Sequence, residues 1–293
     1  MRRLLLLTLL LFQQPLFAAG PDTLALQPAL LRLQVLGDSM LSGKSDSIKL
    51  ASETAFSTLT DSLLKREGGS LLSFHQVKAM SLTKSPDNHL RIYNWMLLLE
   101  GGNNYRFYGR VLAKQEKKAP YRLYRLQEKK YSDNEAVSLL KLDSTNWLGS
   151  VYYKIIQQRY DKKTTYVALG WAPQSLQTTR KIIEPIVIGI NKVTFGAPVL
   201  KEKGKKTKTR VIFEYNARAT MSLRYEEKND RIVFDHLAPS DPRPESKGIY
   251  SMYGPDLSYD GYEFVSGSWI FRPDLKLNNS DLNEGKEGKF FGK

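Results

Sequence analysis

The spacing of apolar and polar positions changes its period twice along the 293-residue chain. Met1-Arg2-Arg3 precedes Leu4–Phe12, apolar apart from Thr8, and Gln13-Gln14-Pro15 then leads to the small residues around Ala18-Ala19-Gly20. A basic start, a short apolar core and small residues in that order predict a secretory signal over residues 1–19, too short to span a bilayer as a helix. Residues from Gly20 to about Lys44 show no clear period. From Ser45 onward, Ile48, Ala51, Ala55, Phe56, Leu59 and Leu63 recur largely at three- and four-residue steps. With Asp46 or Ser47 as cap and Gly68-Gly69 as stop, they predict one amphipathic helix of about twenty residues.

Beyond Gly69 the period falls to two. Segments near 90–96, 105–112, 121–126, 151–157, 166–171, 182–190, 210–215, 221–225, 231–234 and 262–271 alternate sides between turn residues, and 101–104 carries a hairpin signal. Residues 134–142 suit a second, short helix. The expected fold class is mainly β (α+β): antiparallel sheets with one N-terminal amphipathic helix packed on them. The expected organisation is a signal (1–19), an N-terminal segment with the helix (20–69), a β-rich body (70–272) and a polar flexible tail (273–293). A subdivision of the body is expected near the polar stretch 130–145.

Composition narrows the chemistry. With no Cys there is no disulfide framework, thiolate metal site or cysteine nucleophile. The net charge is +14, from 44 basic and 30 acidic residues; removing Arg2 and Arg3 leaves 42 against 30, or +12. Part of that excess lies in Lys201–Arg210, read as a charged hairpin tip that meets an anionic envelope surface. It lacks interleaved aromatics, and an exported chain has little access to nucleic acid, so no nucleic-acid partner is expected. No stretch after the signal is long and apolar enough for a membrane-spanning helix.

Three groups of residues invite a chemical reading. Gly37-Asp38-Ser39-Met40, after Leu31–Leu36, looks like the nucleophile block of the GDSL-type esterases. That family places its Asp and His three residues apart, whereas Asp235 and His236 are adjacent here, and its Asn-bearing oxyanion block is not recognisable. An esterase centred on Ser39 is therefore disfavoured. Asp235 and His236 remain the candidate catalytic residues, on opposite faces of an expected strand. His75 and His89 fall near turns, where solvated histidines are common. Gly254–Gly261 places oxygen side chains at Asp256, Ser258 and Asp260 ahead of a glycine, like the first half of a calcium loop. The twelfth position is Gly267 rather than Glu, and an Asx turn explains the same residues. Ca2+ on Asp256, Ser258 and Asp260 is the one cofactor the sequence suggests.

Several motifs recur together. Ser85-Pro-Asp with Arg91–Trp95, Tyr166–Trp171, Arg210–Tyr215, Met221–Tyr225, Ile232–Leu237 and Tyr253–Gly261 resemble, in order and spacing, a group of uncharacterised exported proteins of Bacteroidota. The resemblance covers residues 70–272 and implies a location in the Gram-negative cell envelope, most simply the periplasm. It implies no activity and no site residues. Two functions are expected in consequence. The first is a non-catalytic exported cell-envelope protein that binds or scaffolds; the second is an envelope hydrolase using Asp235, His236, Asp241, Asp256 and Asp260 gathered in one cleft.

Overall fold

The computed structural model describes residues 21–277. The signal reading falls outside the described residues, as does the tail reading from 278 onward. Within them, two helices and three sheets stack as four layers, and no described helix is long and apolar enough to cross a membrane.

The outer layer holds α1 (Pro21–Ser42) and α2 (Asp46–Leu64). The first of these is absent from the sequence reading. Leu30, Leu33, Leu36 and Met40 form a helical stripe that is buried, but Leu31, Val35 and Leu41 are exposed on the same helix. Apolar residues on both faces flatten the contrast from which a period is read. Gly37 and Ser39 lie inside α1, not at a strand-to-helix elbow. A Cβ on Gly37 would stand 2.9 Å from that of Ala79, and Ser39 Oγ lies 2.8 Å from Ser52 Oγ on α2. The esterase-like tetrapeptide is thus a contact between helices.

The predicted amphipathic helix is α2, but its N-cap is Ser45 rather than Asp46 or Ser47: the Ser45 hydroxyl accepts from the Ile48 amide. Its buried face is rotated from the expected one. Glu53, Phe56, Thr60, Asp61, Leu63 and Leu64 are buried, while Ile48, Ala51 and Ala55 are exposed. Two carboxylates on the inner face defeat a reading that equates inside with apolar.

The first sheet follows in sequence order: β1 (Ser81–Lys84), β2 (Leu90–Leu99), β3 (Asn104–Ala113) and β4 (Arg122–Gln127). Successive residues of β2 serve opposite layers, as the two-residue period requires. Tyr93, Trp95, Leu97 and Leu99 meet the helices, and Leu90 and Ile92 meet the middle sheet. A single short turn, α3 (Asn134–Val137), follows where the longer helix 134–142 was expected; Asp133 caps it through the amides of Glu135 and Ala136. Val137 and Leu142, from the polar stretch 130–145, enter the core between the first two sheets.

The middle sheet runs β10 (Val211–Asn216), β7 (Thr178–Ile188), β6 (Lys163–Pro173), β5 (Val151–Tyr160), with β8 (Val193–Phe195) also paired to β7. Both its faces are covered. On β6, Tyr166, Ala168 and Ala172 pack toward the first sheet, and Val167 and Leu169 toward the last. The last sheet runs β11 (Leu223–Glu226), β12 (Arg231–Pro239), β13 (Tyr253–Val265), β14 (Ser268–Arg272), β9 (Leu200–Lys201). The expected single strand 262–271 is a hairpin, because Ser266 and Gly267 take φ values of 48° and 81° in a two-residue turn.

Strand β5 is where the three sheets meet. The carbonyl of Tyr152 accepts from the hydroxyls of Ser81 (3.0 Å) and Thr83 (2.7 Å) on β1, and that of Ser150, just before β5, accepts from Asn94 of β2 (2.7 Å). Tyr153 donates its hydroxyl to the Leu223 carbonyl of β11 at 2.7 Å. Beneath the middle sheet lies a wholly buried ion pair, Arg210 Nε to Glu184 Oε1 at 2.7 Å, with both side chains 0% exposed. Arg210 also donates to the carbonyls of Val137, Leu140 and Phe195, and the other Glu184 oxygen accepts from the Tyr152 hydroxyl, which in turn accepts from Trp147 Nε1. Burial and the adjacent carboxylate push the Tyr152 hydroxyl well above its ordinary pKa.

Candidate functional site

The expected loop at 254–261 is part of β13, and its irregularity is a bulge. Asp235 pairs with Tyr259, and Leu237 with Pro255, so His236 alone opposes Asp256, Leu257 and Ser258. Leu257 carries the excess backbone at φ 72°, in the left-handed region, with its side chain 91% exposed. A leucine in that conformation is held there by the pairing on either side.

The bulge brings three of the five candidate residues together. His236 Nδ1 lies 2.8 Å from Asp260 Oδ2, and His236 Nε2 lies 4.0 Å from Asp256 Oδ2. The His236 side chain is 48% exposed, Asp256 38% and Asp260 only 7%. Asp260 can only accept as a carboxylate, so the proton of this bond sits on Nδ1 and the Nε2 lone pair is left outward. The second Asp260 oxygen accepts from the Asp274 amide at 3.1 Å. Asp256 is held from the other side: its Oδ1 accepts from the Ser258 amide (3.0 Å) and hydroxyl (2.7 Å).

These contacts set the electrostatics. The hydrogen bond to Asp260 holds the His236 imidazole above its ordinary pKa, aided by the charges of Asp260, Asp256 and Asp274 and opposed by partial burial. The Ser258 hydroxyl holds Asp256 below the usual carboxylate range, with burial opposing and the Ser258 amide and His236 adding to the lowering.

Asp235 and Asp241 do not join the cluster. Asp235 accepts from the Ser222 amide at 2.8 Å, and Asp241 takes three hydrogen bonds from the Arg243 side chain in an exposed loop. The five residues expected in one cleft are therefore three in the bulge and two elsewhere. The three calcium candidates do share one strand, yet the Ser258 hydroxyl points into Asp256, and both Asp260 oxygens already accept hydrogen bonds. Among the described residues, no group of three or more His, Asp or Glu side chains is placed to hold a metal ion. His75 and His89 are local: the first lies 2.8 Å from the Ser73 hydroxyl, and the second 3.7 Å from Asp87.

Of the basic segment Lys201–Arg210, residues 201 and 203–206 are exposed, while Thr209 and Arg210 are buried. Lys205 pairs with Glu202 and Lys208 with Glu135. Arg210 belongs to the interior, so the outward charge of this hairpin is smaller than its composition suggests. Sequence reasoning grouped His236 and Asp260 in one expected cleft but took Asp235 as the partner of His236, and so missed the direct bond between His236 and Asp260. The interruption of the apolar stretch 182–190 by Glu184 was the available sign of the buried network. Comparison with protein-family models, curated proteins and solved structures returns no match to this chain.

Proposed function

We propose that this chain is a non-catalytic exported protein of the cell envelope, a rigid β module that binds or scaffolds at an anionic surface. The observation that carries this reading is the division of charge. Several inward charges are paired with opposite ones, as in Glu184–Arg210, Asp61–Arg110 and Glu226 with Arg224 and Arg231. Lysines 201, 203, 205 and 206 stand outward on one hairpin. Their contact would be electrostatic and sensitive to salt. The N-terminal signal pattern, and a motif order that resembles that of exported Bacteroidota proteins, favour placement in the periplasm.

Two measurements test it. Expressed whole in a Gram-negative host, the protein should be recovered from the periplasmic fraction with a new N-terminus near residue 19 or 20; an intact N-terminus in the cytoplasm would overturn the export reading. Purified protein should co-sediment with vesicles containing anionic lipid and release at high salt, and K203Q/K205Q/K206Q should bind more weakly. Equal binding by wild type and triple variant would remove the hairpin from the proposal.

The anchored imidazole supports a second reading, an envelope hydrolase in which His236 is the base and Asp260, not Asp235, orients it. Release of product from ester or glycan substrates by wild type but not by His236→Ala would favour that reading. Equal rates would eliminate it.

A further inference from the structure

We propose that the bulge between β12 and β13 is an open, two-ligand site for a first-row transition cation such as Zn2+, with His236 Nε2 and Asp256 Oδ2 as ligands and Asp260 as the residue that positions the imidazole. The proposal does not depend on the envelope reading. It rests on which atoms of the cluster are tied and which are left over.

Each ligand is fixed through the atom it does not use. His236 is held by Nδ1 on the buried Asp260 carboxylate, 2.8 Å away, and Asp260 is itself fixed by the Asp274 amide. A carboxylate on the remote ring nitrogen is the arrangement that fixes the tautomer and aims Nε2 at a metal. Asp256 is held by Oδ1 on the Ser258 amide and hydroxyl, which leaves Oδ2 facing His236. The two leftover atoms face each other across 4.0 Å. Zinc binds nitrogen and oxygen at about 2.0–2.2 Å, so two ligands of a tetrahedral ion stand roughly 3.4 Å apart. Closing the difference takes a shift of about 0.6 Å, within reach of one torsion of the half-exposed Asp256 side chain.

The donor set also selects the cation. One imidazole nitrogen and one carboxylate suit zinc, nickel or copper, whereas calcium takes six to eight oxygens. Asp260 is 7% exposed and is engaged by His236 and the Asp274 amide, so few oxygens are left for a calcium shell. With two protein ligands the remaining positions go to water or to a donor from a bound molecule, so the site is exposed and exchangeable rather than structural. Among the described residues no third side chain completes it, which fits an open site and excludes a closed one.

The test uses the mature full chain, treated with chelator and desalted. Titration calorimetry with ZnCl2 should show one site, and His236→Ala should abolish it. Asp256→Asn should weaken it at least tenfold. Asp260→Ala should weaken it by about 10–100-fold, with partial rescue in Asp260→Asn, which keeps an oxygen for Nδ1–H. Imidazole nitrogen resonances give a readout that a folding defect does not imitate: zinc should move Nε2 of His236 while Nδ1 keeps its proton. CaCl2 should produce neither effect. The proposal is overturned if no zinc binds up to about 1 mM, if His236→Ala binds as wild type does, or if zinc leaves the His236 resonances in place.

Discussion

Two buried carboxylates in different layers show how differently one fold handles the same charge. Glu184, between the first two sheets, lies against the equally buried Arg210, and its second oxygen accepts from Tyr152. Glu53, under the helical layer, has only neutral donors: the Ser57 hydroxyl at 2.5 Å and Trp95 Nε1 at 3.4 Å. The nearby guanidinium of Arg110 is bound to Asp61, two turns further along the same helix, and packs over the Trp95 ring at 5.4 Å. Burial therefore raises the Glu53 pKa, against the lowering from Ser57, Trp95 and Arg110. One buried carboxylate is matched by a cation of its own, whereas the other has only borrowed neutral donors, and its pKa is raised by burial.

Breaking the first arrangement should have the largest effect. Arg210→Met leaves Glu184 charged and unmatched, and urea unfolding should show a loss of about 3–5 kcal/mol. Adding Glu184→Gln to that variant should recover a large part of the loss. A cost below about 1 kcal/mol for Arg210→Met would mean that the pair adds nothing to the core.

The helical layer supplies an internal contrast. Asp61→Asn strips the partner from Arg110 and should destabilise by roughly 2–4 kcal/mol, whereas Glu53→Gln should leave stability at neutral pH unchanged or higher. Opposite signs from two carboxylates on one helix would separate pairing from burial; equal losses would sink the distinction.

The third effect is a pH dependence. Because the folded-state pKa of Glu53 lies above its ordinary 4.5, the folded protein holds a proton that the unfolded chain releases. Its contribution is thus present below that ordinary value and declines as pH rises through the folded value. The melting temperature of wild type relative to Glu53→Gln should fall as pH rises above 4.5; a rising difference would reverse the assignment. The smallest effect belongs to the surface pair Lys154–Glu227, whose side chains are 40% and 74% exposed. Lys154→Met should cost less than about 1 kcal/mol, and that cost should vanish in high salt.

Most of the β organisation was legible because a strand between two surfaces writes its faces into alternate residues. The stretches at 90–96, 105–112 and 151–157 lie within observed strands for that reason. What stayed hidden has three physical causes. Helix α1 carries apolar residues on both faces, so its period is blurred at Leu31 and Val35. On α2, Glu53 and Asp61 point inward because Trp95 and Arg110 on the sheet receive them, and those partners are remote in sequence. The bulge at His236 depends on a register shift between β12 and β13, which composition does not record. Of the site, the gathering of His236, Asp256 and Asp260 was legible, but the bond from His236 to Asp260 rather than Asp235 was not.

The order of strands bears on how the chain assembles. The first sheet consists of consecutive hairpins and is complete in sequence before β5 begins; β5, β6 and β7 are likewise neighbours in sequence and in space. Such local pairing closes short loops and favours rapid formation as successive segments emerge. Two pairings are less local: β10 returns to β7 past β8 and β9, and Leu200 of β9 pairs in parallel with Trp269 of β14. The latter pairing waits for the last strand, so the last sheet is completed late, and a chain halted before β14 leaves the Leu200 edge open to another strand.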